Sequence, residues 1–348
     1  MTTTTTIELP PSPGRIPLTV IPTHYDLNYT SVDLERHTFA GVVSISVDVP
    51  KPIPSLAPAS SDAPQPQPLC ILLHAVEIDI LSATFEFEKG KAADAYEFRC
   101  HRPSQTVALL FSPSAIPSSV CTGSGGGGGK GRLIIDFRGT LNDLMHGFYR
   151  STYQSLDGRE LTIATTQCEP TDARRAFPCF DEPALKATFR LCVTLQVDPT
   201  RPSLSCWSNT PVANEYTAAV TKPGRGEVLE KTYEFEATPK MSTYLFAVIV
   251  AELDGISTCP KEGPTAGVTT TVYTVPGKSE QGRFCLETAS RCLEFFASEE
   301  MFGIPYRKSC HTAVGHSLSA DSIRLPLSNT CIYLISNLIS PTTHLFTS

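Results

Sequence analysis

The stretch Thr165–Pro183, T-T-Q-C-E-P-T-D-A-R-R-A-F-P-C-F-D-E-P, decides how the rest of the 348-residue chain is read. Glu169, Asp172, Arg174, Arg175, Asp181 and Glu182 crowd into it, with Lys186 just beyond, yet Phe177 and Phe180 sit among them. Prolines at 170, 178 and 183 forbid a regular helix. A solvated loop has no use for two phenylalanines, and a solvated charge run has no use for three prolines. The pattern predicts a rigid, partly buried turn whose charges pair with one another, because unpaired buried charges are costly. The preceding run, Leu161–Gln167, is rich in β-branched residues and reads as a strand. Side chains two apart on a strand share a face, so Gln167 and Glu169 are expected to project together.

From Thr166 to Pro183 the chain resembles, nearly position for position, the segment T-Q-x-E-x-T-D-A-R-R-A-F-P-C-F-D-E-P of the zinc aminopeptidases, the group of aminopeptidase N and puromycin-sensitive aminopeptidase. The resemblance implies a role for two residues. The glutamate, here Glu169, helps hold the free α-amine of a substrate. The glutamine, here Gln167, lines the pocket for its first side chain. A carboxylate suits the first task because its hydrogen bond to an ammonium is charge-assisted. Asp172, Arg174, Arg175 and Asp181 read as architectural.

Composition narrows the class. Hydrophobic residues make up 41% and charged residues 18%, the balance of a globular chain with room for two domains of about 150 residues each. The net charge is −7 and no basic run occurs, which speaks against nucleic acid as a partner. Twelve cysteines include no C-x-x-C, so neither a zinc ribbon nor a thioredoxin-type site is indicated. Met1 is followed by five threonines and not by a basic and then apolar signal. Reduced cysteines, an unused sequon at Asn28-Tyr29-Thr30 and a cytoplasmic location are the expectations. The longest apolar run, Cys331–Ile339, is too short to span a membrane.

Along the chain, residues 1–17 read as a flexible leader. Residues 18–256 read as a mainly β region, a large antiparallel β-sandwich of the kind that opens the zinc aminopeptidases. Within it, 39–49 alternates as a strand should, and His24, with no partner at metal spacing, reads as structural. Two insertions interrupt the sandwich, proline-rich 50–68 and 112–132 with its glycine run Gly125–Gly129. Lys130 is followed by Gly131, so that run is not a phosphate loop. Further strands are predicted at Cys70–Ile80, Leu133–Gly139, Ala187–Val197, Trp207–Asn214 and Lys231–Ala237. The apolar run Tyr244–Val250 predicts a strand buried on both faces.

After a loop at 255–266, residues 267–306 resemble the entry to the family's α/β zinc-peptidase domain. A strand is expected at Val268–Val275, then an amphipathic helix over Ser279–Met301. Its apolar positions are 285, 289, 292, 293 and 296, with Ser279 as N-cap and Gly303 and Pro305 as the stop. Residues 307–348 match nothing in the family, hold four charged side chains and no glutamate, and are expected to be disordered.

A catalytic zinc needs three protein ligands and an open position, and the family's H-E-x-x-H supplies two of them with the general base between. None of the eight histidines here is followed by glutamate. Zinc is therefore expected in the intact family enzyme but not on this chain, which should be inactive by itself. The function expected is the N-terminal, amine-recognising portion of a zinc metallo-aminopeptidase acting on peptides with a free N-terminus. An apolar face left uncovered by the absent domain would invite chaperones. The alternative is a non-catalytic β-sandwich that binds protein partners.

Overall fold

The computed structural model describes residues 15–50, 69–87, 92–112, 129–222, 226–298 and 309–313. The leader up to residue 14, most of both insertions, the end of the helical stretch and the tail beyond 313 lie outside the described residues.

Alternation builds most of the strands. β1 (Ile21–Asp33) and β2 (Thr38–Val49) pair antiparallel with every second residue buried, Tyr25, Leu27 and Tyr29 from one, Val43, Ile45 and Val47 from the other. Asp33 accepts the backbone N–H groups of Glu35 and Arg36, closing the turn between them. There follow β3 (Leu69–His74), β4 (Ile78–Phe87), β5 (Ala92–His101), β6 (Thr106–Phe111) and β7 (Gly129–Thr140). Next come β8 (Gly147–Gln154), β9 (Glu160–Gln167), β10 (Thr188–Gln196), β11 (Ser205–Ser208), β12 (Val212–Lys222), β13 (Gly226–Phe235) and β14 (Val248–Ala251). β15 (Asp254–Thr258), β16 (Thr269–Thr274), helix α1 (Arg283–Ala297) and β17 (Ser309–Ala313) complete the described chain.

One sheet of ten strands runs β12-β13-β10-β1-β2-β7-β4-β5-β6-β3, and a second of four runs β11-β14-β9-β8. A single apolar core lies between them. Tyr25 stacks on Phe189 from the large sheet, and Phe177 meets Phe246 edge-on at 5.0 Å beside them. Tyr29, Phe39, Phe137 and Phe148 form a second aromatic group, Phe148 coming from the small sheet. The expected mainly β sandwich is what forms, but the large sheet is mixed because β1 and β10 run parallel.

The structure differs from the sequence reading at several element ends. Ile16, assigned to the leader, is buried, and its N–H donates to the Glu182 carboxylate at 2.5 Å. β7 begins at Gly129, inside the assigned insertion, because glycine admits a close approach there: a Cβ on Gly131 would fall 2.4 Å from the Phe85 ring. Trp207–Asn214 is split by the Asn209-Thr210 corner into β11 and β12.

Tyr244–Val250 is not one strand. Thr243–Leu245 form a 3-10 turn, and only Val248–Ala251 joins the sheet. The Ser242 and Thr243 hydroxyls are drawn to Pro183 O and Asp181, side-chain bonds that compete with a β ladder.

β15 falls in the expected loop at 255–266 and pairs with β16, so it belongs to a separate three-stranded sheet with β17 rather than to the sandwich. β17 in turn lies in the stretch expected to be disordered, paired parallel to β16. Ser279 caps nothing. It opens a 3-10 turn to Gly282, and α1 starts one residue later. Leu286 is the buried residue of α1, against Val272 of β16, while Cys292 and Phe296 of the expected stripe are exposed. Trp207 of the sandwich packs on Tyr273 of the three-stranded sheet at 5.2 Å between ring centroids.

Candidate functional site

β9 is held by β8 on one side and β14 on the other, and it ends at Gln167, opposite Gly147. The chain turns immediately. Proline at 170 has no N–H to continue a ladder, and the Asp172 N–H donates to Cys168 O at 2.8 Å, closing a loop around Glu169. The Glu169–Pro170 peptide is cis. Gln167 is half-buried and Glu169 exposed.

The expectation that a continuous strand carries both side chains on one face is thus corrected, since the strand stops before Glu169. The two are adjacent for another reason: Gln167 Nε2 donates to Glu169 O at 3.4 Å.

Behind this loop the charges pair as anticipated. Arg174 donates through Nε to Asp181 Oδ2 at 2.9 Å and through Nη2 to Asp181 O at 3.1 Å, with side-chain exposures of 9% and 2%. Its Nη1 reaches Gln105 at 2.9 Å. Thr243 Oγ1 donates to the other Asp181 oxygen at 2.6 Å. A buried arginine–carboxylate pair of this kind is tolerated because each guanidinium nitrogen and both carboxylate oxygens have a hydrogen-bond partner.

Arg175 donates to Asp172 at 2.9 Å and also reaches Glu77 at 2.6 Å, while His146 lies 3.2 Å from the other Asp172 oxygen. Phe177, Cys179 and Phe180 are buried completely. The Phe180 N–H donates to the Tyr25 hydroxyl, and the Tyr29 hydroxyl donates to Ala176 O, both at 3.1 Å.

His74, at the end of β3, exchanges backbone hydrogen bonds with Cys179, and its Nδ1 accepts the Asp181 N–H at 3.2 Å. Burial, reinforced by the nearby Arg174 charge and opposed by Asp181, holds the imidazole down at about 4, so the ring is neutral at pH 7. Burial likewise pushes the Cys168 and Cys179 thiols well up, which leaves them unreactive. Glu77, His146, Tyr25, Tyr29 and His74 were not among the residues singled out for the site. A polar residue closing an otherwise apolar strand is the local signal that marks His74.

Among the described residues no three His, Cys, Asp or Glu side chains gather to hold an ion, and no histidine in the sequence is immediately followed by glutamate. Among the described residues no helix is long and apolar enough to cross a membrane.

The described chain is thus a mainly β sandwich whose core packs against this charged turn. Residues 21–245 match the Peptidase M1 N-terminal domain, and the chain belongs to that family. It is similar to Aminopeptidase M1-A of Oryza sativa subsp. japonica, 36% identical over 295 residues that cover 84% of this chain and 28% of the relative. Aminopeptidase 2, mitochondrial, of Saccharomyces cerevisiae is 36% identical over 317 residues, 90% of this chain and 28% of the relative. Puromycin-sensitive aminopeptidase of Caenorhabditis elegans is 34% identical over 292 residues, 84% of this chain and 26% of the relative. The chain therefore spans little more than a quarter of the length of the curated relatives it matches.

Proposed function

We propose that this chain supplies the N-terminal, amine-recognising portion of an aminopeptidase that acts on peptides with a free N-terminus. Glu169 accepts hydrogen bonds from the peptide's α-ammonium, and Gln167 lines the pocket for its first side chain. What carries the reading is the exposed Glu169 carboxylate, set on a loop that closes directly against the buried Arg174–Asp181 corner. A charge presented by a rigid support binds without first losing conformational freedom. Recognition of the amine is the step this reading gives to the chain, and zinc is expected in the intact family enzyme.

Cys70, Cys168, Cys179 and Cys206 are buried without a disulfide, which a reducing compartment such as the cytoplasm allows. Phe284, Phe295 and Phe296 are exposed on α1, an apolar surface that supports association with chaperones.

The test compares two peptides that differ only in a free or an acetylated N-terminus, titrated into the isotopically labelled chain and followed by NMR. The free peptide should shift resonances of Cys168–Asp172, and the acetylated one should not. Glu169→Gln should weaken the free peptide about tenfold, the value of a hydrogen bond to a charged group. Equal response to both peptides, or an unchanged affinity for Glu169→Gln, would remove Glu169 from the site.

A further inference from the structure

β12 is the outermost strand of the ten-stranded sheet. β13 pairs with it on one side, and no strand borders the other among the described residues. Residues 212–221 are exposed one after another, so neither face of the strand is covered. From Asn214 to Lys222 its register with β13 is unbroken. Such an edge offers a row of free N–H and C=O groups, and natural proteins commonly blunt it with proline, bulges or clustered lysines. These nine residues contain no proline, no register shift and only two charged residues, Glu215 and Lys222. Glu215 is engaged within the hairpin by Lys231 at 2.7 Å. The strand is thus neutral on a chain whose net charge is −7, which makes it a place where two copies can approach. Tyr216 is 50% exposed and Val220 36%, and they share one strand face with Ala218 between them.

We propose that this edge is an interface with a second copy of the chain, two β12 strands pairing antiparallel about a twofold axis at Ala218. An axis perpendicular to the joined sheet keeps each side chain on its own face, so opposed residues must lie an even number of positions apart. Centring on Ala218 satisfies this and sets Tyr216 opposite Val220 of the second copy, twice over. Aromatic and β-branched residues across a strand pair are the combination that stabilises sheets. On the other face Glu215 meets Thr221 and Thr217 meets Ala219, so no like charges oppose. Nine residues at about 3.3 Å each make a seam of about 30 Å. A seam one strand wide falls short of the roughly 1,200 Å² of standard interfaces, so the dimer belongs to the weak, reversible class.

Sedimentation of the full chain over about 10 µM to 1 mM tests this. The mass should rise with concentration from 37.7 kDa toward twice that value. Two double variants then read the register. Tyr216→Lys with Val220→Lys opposes like charges and should weaken association at least tenfold. Tyr216→Lys with Val220→Glu opposes opposite charges and should associate within a few-fold of the parent. Circular dichroism and the fluorescence of the sole tryptophan check that both variants are folded. A parent that stays at single-chain mass throughout, or two variants that associate equally, overturns the proposal.

Discussion

At Asp181 a buried carboxylate receives donors from Arg174 and Thr243, while its own N–H is given to His74. This arrangement demands a neutral imidazole, since a protonated Nδ1 has no lone pair to accept the N–H. The pH dependence of stability follows. An unfolded histidine titrates near 6.5, whereas His74 in the fold titrates at about 4. As pH falls from about 6.5 the unfolded chain takes up a proton that the folded chain refuses, so stability falls with it. The loss levels off near the folded value, at about 3 kcal/mol for this one group. Urea midpoints at pH 7 and pH 5 capture more than half of it. His74→Asn, which keeps an acceptor but cannot titrate, should lose clearly less stability between the two values. If variant and parent fall in parallel, His74 is not the group responsible.

The element that matters most to the candidate site is the junction of β8 with the charged turn. β8 starts at Gly147 with φ +63°, and a Cβ there would stand 2.3 Å from Arg175 Cβ and 3.0 Å from Asp172 O. Close approach and backbone conformation both require glycine at this point. Gly158, in the β8–β9 turn at φ +82°, has the same conformational demand but nothing within 4 Å of its missing Cβ. Gly158→Ala should therefore cost only the backbone term, about 1 kcal/mol. Gly147→Ala adds overpacking against the turn and should cost about 2–4 kcal/mol. Thermal unfolding of the two variants separates the terms, and equal losses would mean that Arg175 moves aside freely.

On the scale of the whole molecule, the sandwich and the three-stranded sheet differ in how well they are covered. The sandwich closes its aromatic core between two sheets. The apolar cluster between α1 and its sheet is small among the described residues, Val272 and Leu286 with Ile256 and Cys285 packed alongside, and Phe284 is left 79% exposed and Phe295 51%. An apolar surface of this sort promotes association that a polar one does not. Phe284→Ser combined with Phe295→Ser should raise the yield of soluble chain and reduce binding of a hydrophobic dye, at little cost in stability. Unchanged dye binding would place the sticky surface elsewhere.

What the amino-acid sequence by itself determined is local. Alternation in 39–49 and 187–197 specified strands, because burying one face of a strand requires a period of two. The mixture of charges, phenylalanines and prolines at 165–183 specified a rigid turn with paired charges, because no other arrangement satisfies all three residue types. The resemblance carried by that turn also set the family, and with it Gln167 and Glu169 as the residues of interest. Which partners meet was left to the tertiary structure. Arg175 pairs with Glu77, Ile16 with Glu182 and β1 with β10, contacts whose members lie far apart in the chain and leave no local period. The same holds for where β9 stops and how Glu169 is placed beside Gln167. Pairing of distant segments depends on which faces become available once the layers pack, and that is a property of the assembled fold rather than of any one stretch.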